Sequence, residues 1–147
     1  MGNICRSPAA EGILKKLLKE NNLEMDVDSA GMISYHSGAK ADARMREHGQ
    51  KRGVELTSIS RPFDAHVDFD YFDMIIAMDQ DNLNDLDAVI RTEKDREKIH
   101  LMTDFLQKLE ATSIPDPYYG GDVGFDNVYN LLEDACAGLL DHLTIIK

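Results

Sequence analysis

Apolar residues recur at the spacing of one helix face in two long segments of the chain. The first segment covers about residues 7–21 and the second about residues 124–146, so each is predicted to be an amphipathic helix. The two apolar stripes consist of Ala10, Ile13, Leu14, Leu17 and Leu18 in the first, and Val128, Leu131, Leu132, Ala135, Leu139 and Leu143 in the second. A third run, from 38 to about 51, is also compatible with a helix.

Short apolar runs between these helices predict strands. The run 73–78 is bounded by aspartates and is typical of a fully buried parallel strand, and Asp79 or Asp81 then caps a helix. The predicted strands are 25–29, 54–56, 73–78 and 99–102, whereas 114–121 contains two prolines and is predicted to be a loop. Strands that alternate with helices predict an α/β domain of three layers, with a mostly parallel central sheet of about four strands.

Size and charge narrow the class of protein. The 147 residues suit one domain, and 27 acidic against 16 basic residues give a net charge of -11. This charge opposes non-specific binding to nucleic acid or to an anionic membrane, so any anion site must be local. Two cysteines are too few for a disulfide framework, and no leader or 18-residue apolar run is present, so we expect a cytoplasmic protein with free thiols.

One stretch has the features of a local phosphate site. Residues 2–8 read Gly-Asn-Ile-Cys-Arg-Ser-Pro and lead directly into the first predicted helix, whose N-terminus attracts anions. Gly2 permits a tight loop, Arg6 can bind two phosphate oxygens at once, and Ser7 is a candidate N-cap. The predicted phosphate-binding residues are Gly2, Asn3, Ile4, Cys5, Arg6 and Ser7.

These residues resemble the phosphate loop of the low molecular weight protein tyrosine phosphatases, Cys-x-Gly-Asn-x-Cys-Arg-Ser-Pro. The family's later Asp-Pro-Tyr-Tyr motif is present at 116–119, and the similarity covers nearly the whole chain. The resemblance implies the fold of that family and a two-step hydrolysis of phosphotyrosine in protein substrates through a cysteinyl phosphate. Inorganic phosphate is the product, and no metal or other cofactor is needed.

The resemblance also implies a role for individual residues. Arg6 would bind the phosphate and Asp116 would be the general acid, although an Asp-Pro pair by itself is usually only a turn. The resemblance implies that the walls of the substrate cleft include Tyr35, Tyr118 and Tyr119. It also implies that the phosphate loop is braced by Asn3, Ser7 and Ser29. For Tyr35 the alternative is a half-buried packing residue, which is a common role of an isolated tyrosine near a turn. Ser58 lies where many members carry a supporting histidine.

One departure from the family concerns the nucleophile. Counting back from Arg6 places the family's attacking cysteine immediately before Met1, together with the apolar strand that leads to it. Cys5 does not substitute, because a five-residue gap between nucleophile and arginine would require arginine at position 11, where Glu11 stands. We therefore expect a domain truncated at its N-terminus, with the true product starting several residues upstream.

Other functions remain open at this stage. A shortened, catalytically silent chain would be a phosphate-binding module. Phosphoarginine phosphatases use the same loop, but they typically have threonine where this chain has Ile4. Arsenate reductases of this fold need further cysteines, and Cys136 lies in a predicted core stripe.

Overall fold

A computed structural model of the protein describes residues 5–32, 38–117 and 121–145. Within these ranges the chain forms six α-helices, two β-strands and one 3₁₀ turn. In chain order the elements are α1 (Arg6–Glu20), α2 (Ala43–Lys51), α3 (Ala65–Tyr71), β1 (Ile75–Ala77), α4 (Gln80–Asp87), α5 (Glu93–Glu97), β2 (Ile99–Leu101), the 3₁₀ turn (Met102–Phe105) and α6 (Gly121–Ile145).

The two strands form a parallel pair in which Ile75 is opposite Ile99. Successive side chains of a strand point to opposite faces, and β1 shows this directly. Ile76 packs against the core formed mainly by α1, α2 and α6, whereas Ile75 and Ala77 pack with Phe69 of α3 and with α4. Helices therefore cover both faces of the pair, which confirms the predicted three-layer α/β arrangement.

The predicted number of strands is wrong for the described residues, where only β1 and β2 form a ladder. Residues 25–29 do not form a strand; they and β1 line the same cavity, whose volume is about 890 Å³. The segment 54–56 closes the end of α2 instead of joining the sheet: Val54 N–H donates to Gly49 O at 2.8 Å, and its side chain is buried.

The two terminal helices pack against each other and form the main core. Both were predicted to within a few residues, and the Sγ atom of Cys136 on α6 lies 3.7 Å from the carbonyl oxygen of Ala10 on α1. Cys136 is 1% exposed, so its predicted packing role is confirmed. In the part of the chain that the structure describes, no helix is long and apolar enough to cross a membrane.

Candidate active site

The starts of α1 and α4 and the segment around residue 114 meet at one end of the sheet. Arg6, the first residue of α1, donates a hydrogen bond to the carboxylate of Asp79, the N-cap of α4, over 2.6 Å. It donates a second to the carbonyl oxygen of Ile114 over 2.7 Å. Ile114 N–H in turn donates to the carbonyl oxygen of Met78, just after β1, over 2.9 Å. These bonds join parts of the chain that are 73 and 108 positions apart.

Arg6 is held with little freedom. Its side chain is 5% exposed, and both hydrogen bonds use the Nη1 atom, so Nε and Nη2 take no part in them. A buried guanidinium requires a charged or hydrogen-bonded partner, which Asp79 and the Ile114 carbonyl supply. The arrangement fixes the plane of the guanidinium at the N-terminal end of α1, and a fixed planar fork suits a phosphate.

Asp79 does more than the sequence indicated. Its Oδ1 accepts the Asn82 N–H at 2.8 Å, which confirms that it caps α4, while Oδ2 accepts from Arg6. Burial raises the pKa of this carboxyl, but the bonds from Asn82 and Arg6 outweigh burial and hold its pKa below the ordinary 3.8. Sequence analysis missed the contact with Arg6, because nothing local in the sequence joins positions 6 and 79.

Cys5 occupies the N-cap position of α1, where its side chain makes no capping hydrogen bond. The prediction that Ser7 is the N-cap is therefore wrong: α1 begins at Arg6, so Ser7 lies inside the first turn. Burial, followed by the charges of Asp42 and Asp116, raises the pKa of the Cys5 thiol to about 12. A thiol with this pKa is protonated at neutral pH, which agrees with the expectation that Cys5 does not replace the nucleophile.

Charges around the start of α1 come from several elements. Asp42 and Arg44, at the start of α2, and Asp116 all act electrostatically on the Cys5 thiol, so they lie near it. The first turn of α1 contains no acidic residue, although the whole chain carries a net charge of -11. The positive end of the α1 dipole is therefore not neutralised by its own first turn, which favours an anion there.

Asp116 lies two residues beyond the anchored Ile114, in a segment without helix or strand. Ile114 and Pro117 are buried, and Asp116 between them is exposed. The predicted loop is confirmed over 114–117.

Comparison with known proteins identifies the family. The model of the low molecular weight phosphotyrosine protein phosphatases matches residues 1–145 of this chain. The protein belongs to this family. Its fold and enzyme class are therefore those of the protein tyrosine phosphatases, as the sequence motifs predicted.

Relatives with this fold are similar over almost their whole length. A low molecular weight phosphotyrosine protein phosphatase of Homo sapiens is 34% identical over 96% of this chain and 90% of its own. A protein tyrosine phosphatase structure from Entamoeba histolytica is 46% identical, with a TM-score of 0.94 over 98% of this chain and 92% of its own. A Drosophila arginine phosphatase structure is 35% identical, with a TM-score of 0.89 over 97% and 93%.

The remaining predicted site residues of this phosphatase divide into two groups. Ser29 donates a hydrogen bond over 2.7 Å to Glu11, a buried residue of α1 that also accepts one from Lys15. Ser29 thus holds the helix that carries Arg6. Gly2, Asn3, Ile4, Tyr35, Tyr118 and Tyr119 lie outside the described residues. Within the described ranges, no group of three or more His, Cys, Asp or Glu side chains could hold a metal ion.

Proposed function

We propose that this phosphatase hydrolyses phosphotyrosine in protein substrates at the N-terminal end of α1, with Arg6 binding the phosphate and Asp116 acting as general acid. The observation that carries the proposal is the buried Arg6 guanidinium, oriented by Asp79 and the Ile114 carbonyl at the start of that helix. A phosphate there would receive both the charge of Arg6 and the backbone N–H groups of the first turn.

The proposed reaction has two steps. A cysteine thiolate attacks phosphorus, the bond from phosphorus to the phenolic oxygen breaks, and Asp116 gives its proton to the leaving phenolate. Water then attacks the phosphocysteine, Asp116 takes a proton from that water, and inorganic phosphate and the thiolate are released. Arg6 stabilises the charge on the equatorial oxygens in both steps.

The attacking thiolate belongs, in this proposal, to a cysteine directly before Met1. Its expected surroundings are the positive end of α1 and Arg6, which lower a cysteine pKa from about 8.5 into the range of roughly 3.5–7.5. Cys5 is also at the start of α1, but burial and the charges of Asp42 and Asp116 outweigh the charge of Arg44 and raise its pKa. We accordingly expect Met1–Lys147 alone to hydrolyse aryl phosphates about a million-fold more slowly than a chain extended by an apolar segment that ends in cysteine.

Substrate recognition in the proposal uses aromatic side chains. Tyr35, Tyr118 and Tyr119 would stack on the phenyl ring of phosphotyrosine and exclude water from it. A loop of backbone N–H groups from residues 2–7 would hold the phosphate. The protein would act in the cytoplasm, where both cysteines, which are free thiols in the structure, would stay reduced.

The general acid can be tested with Asp116→Asn in the extended chain. Turnover of aryl phosphates with weakly acidic phenols should fall roughly 100- to 10,000-fold, while the inhibition constant of inorganic phosphate should change little. The loss should shrink for strongly acidic phenols, which leave without a proton. Asp85→Asn, at an exposed position of α4, is the matched control and should leave turnover unchanged.

Three results would contradict the proposed function. The first is an equal loss with all leaving groups in Asp116→Asn, and the second is faster hydrolysis of phosphoarginine than of phosphotyrosine. The third is phosphate binding by the extended chain without any turnover, which would indicate a binding module.

A further inference from the structure

The positive charges of this acidic protein are concentrated around α2, next to the candidate active site. Residues 40–52 contain five lysine or arginine residues and two acidic residues, whereas the rest of the chain contains 11 basic and 25 acidic residues. Charges separated by more than about 8 Å of solvent are largely screened at physiological salt. The local charge around α2, and not the net charge of -11, therefore determines which ligands this surface attracts.

The positive charges at the C-terminal end of α2 have acidic partners. The Nζ atom of Lys51 lies 3.9 Å from a carboxylate oxygen of Glu47 on the same helix. Arg52, directly after the helix, forms an ion pair with Glu133 on α6. These pairs neutralise that end of α2, so it offers little attraction to an acidic ligand.

The N-terminal end of α2 carries a basic patch, which consists of Lys40, Arg44 and Arg46. The one acidic residue within 40–46 is Asp42, whose Oδ1 accepts the N–H groups of Arg44 and Met45 and lies 3.6 Å from the Nε of Arg44. Lys40 and Arg46 are exposed and form no ion pair with any residue that the structure describes. Three cations and one carboxylate leave this end of the helix positively charged.

Arg44 connects the basic patch to the candidate active site. Its charge and that of Asp42 both act on the Cys5 thiol, and Cys5 directly precedes Arg6. The Cζ atom of Arg44 also lies 4.8 Å from the centre of the Phe125 ring on α6. The patch is therefore beside the start of α1, where the proposed function places the phosphate.

Backbone contacts hold the other two residues of the basic patch at the same end of α2. The Nε of Arg46 donates a hydrogen bond over 3.0 Å to the carbonyl oxygen of Ala41, so the side chain turns back towards the start of the helix. Lys40 pairs with Ile59 in an antiparallel bridge. The patch is thus compact, and its cations are presented from an ordered backbone.

We propose that the basic patch binds acidic side chains on one side of the phosphotyrosine, so that the preferred substrates carry phosphotyrosine in an acidic segment. This proposal rests on the proposed function. Carboxylates are the natural partners of exposed guanidinium and ammonium groups, and such complementarity selects among partners. A peptide that crosses the site can meet one compact patch on only one side of its phosphotyrosine. The net charge of the chain opposes longer polyanions such as nucleic acid.

The test compares synthetic phosphotyrosine peptides as substrates of the extended chain. Each peptide has seven residues with phosphotyrosine at the centre. One peptide has two aspartates before the phosphotyrosine, a second has two after it, and two reference peptides have asparagine at the same places. At low salt, kcat/KM for one of the acidic peptides should exceed that of its reference about five-fold, because each exposed ion pair contributes roughly two- to three-fold. The preference should fall towards one in 0.5 M salt.

Paired variants test whether the basic patch causes the preference. Lys40→Gln with Arg46→Gln should reduce it to less than about two-fold, whereas Lys40→Arg with Arg46→Lys keeps both charges and should keep the preference. Lys19→Gln with Lys94→Gln is the matched control. These two lysines are exposed, Lys19 about 20 Å along α1 from Arg6 and Lys94 on α5, so the preference should persist. The ratio of two peptides within one variant cancels any general change in the phosphate site.

The outcomes separate the basic patch from the proposed function. Hydrolysis of all peptides at similar kcat/KM overturns the patch and leaves the proposed function intact. A preference that survives Lys40→Gln with Arg46→Gln also overturns the patch, and so does an equal preference for both acidic peptides, which would indicate general attraction of anions. If no peptide is hydrolysed, the proposed function fails. The dissociation constants of the same peptides, measured by fluorescence anisotropy, then support or overturn the patch by the same ratios.

Discussion

Replacing Asp79 should separate its two roles. Asp79→Asn keeps an N-cap and a neutral acceptor for Arg6, because asparagine has the shape of aspartate and caps helices about equally well. Asp79→Ser keeps only the cap, since serine is too short to reach the Nη1 atom of Arg6. Asp79→Ala removes both. The three variants thus differ stepwise in the contacts that the structure shows for this carboxylate.

The expected losses of unfolding free energy follow from these contacts. A charged hydrogen bond contributes about 1.5–3 kcal/mol and a neutral one about 0.5–1.5 kcal/mol, so Asp79→Asn should cost about 1 kcal/mol. Asp79→Ser should cost about 2 kcal/mol. Asp79→Ala loses a further 1 kcal/mol or so for the cap, which gives about 3 kcal/mol. The Asp79 side chain is 23% exposed, so these values are below those of a fully buried pair.

Urea unfolding at several pH values measures both the size and the origin of the effect. Hydrogen bonds hold the pKa of Asp79 below 3.8 in the folded protein, so its ionised form stabilises the fold above the unfolded-state pKa. That contribution is lost as the pH falls through the folded-state pKa. The difference between the native chain and Asp79→Asn should therefore be constant near neutral pH and shrink below about pH 4.

Two results would refute this reasoning. Equal stability of Asp79→Ser and Asp79→Asn would mean that the contact with Arg6 contributes nothing. A difference between the native chain and Asp79→Asn that stays constant down to pH 3 would mean that its charge is not involved. Asp81→Asn, in the first turn of the same helix, is the control, and we expect a change within about 0.5 kcal/mol.

Two further predictions concern the thiols and the packing of α6. Burial raises the pKa of the Cys5 and Cys136 thiols to about 12. Iodoacetamide at pH 8 should therefore label both thiols roughly 1,000-fold more slowly than an unfolded cysteine. Mass spectrometry measures the labelling, and rapid labelling of the folded chain would contradict this prediction. Gly138→Ala should lower the free energy of unfolding, measured in urea, by about 3 kcal/mol, because the new Cβ would lie 1.8 Å from the Phe105 carbonyl oxygen. Gly124→Ala is the control: the nearest atom to its Cβ would be 3.9 Å away, so this change should not destabilise the protein.

The sequence by itself determined the features that depend on nearby residues. The stripes of α1 and α6 repeat every three or four positions, so hydrophobic burial alone indicates two amphipathic helices. Asp79 directly precedes a helix, so its capping role is a local property as well. The motifs at 2–8 and 116–119 identified the family, because their residue types and order are specific even without a structure.

Only the tertiary structure decided which distant groups meet and how many strands pair. The Arg6–Asp79 contact joins positions 73 apart, and no local pattern encodes that distance. Residues 25–29 have a strand pattern, but a strand exists only where a neighbouring backbone lies within hydrogen-bonding reach, and these residues do not form one. Side-chain periodicity specifies which face of a segment is buried, whereas pairing depends on what the rest of the chain places beside it.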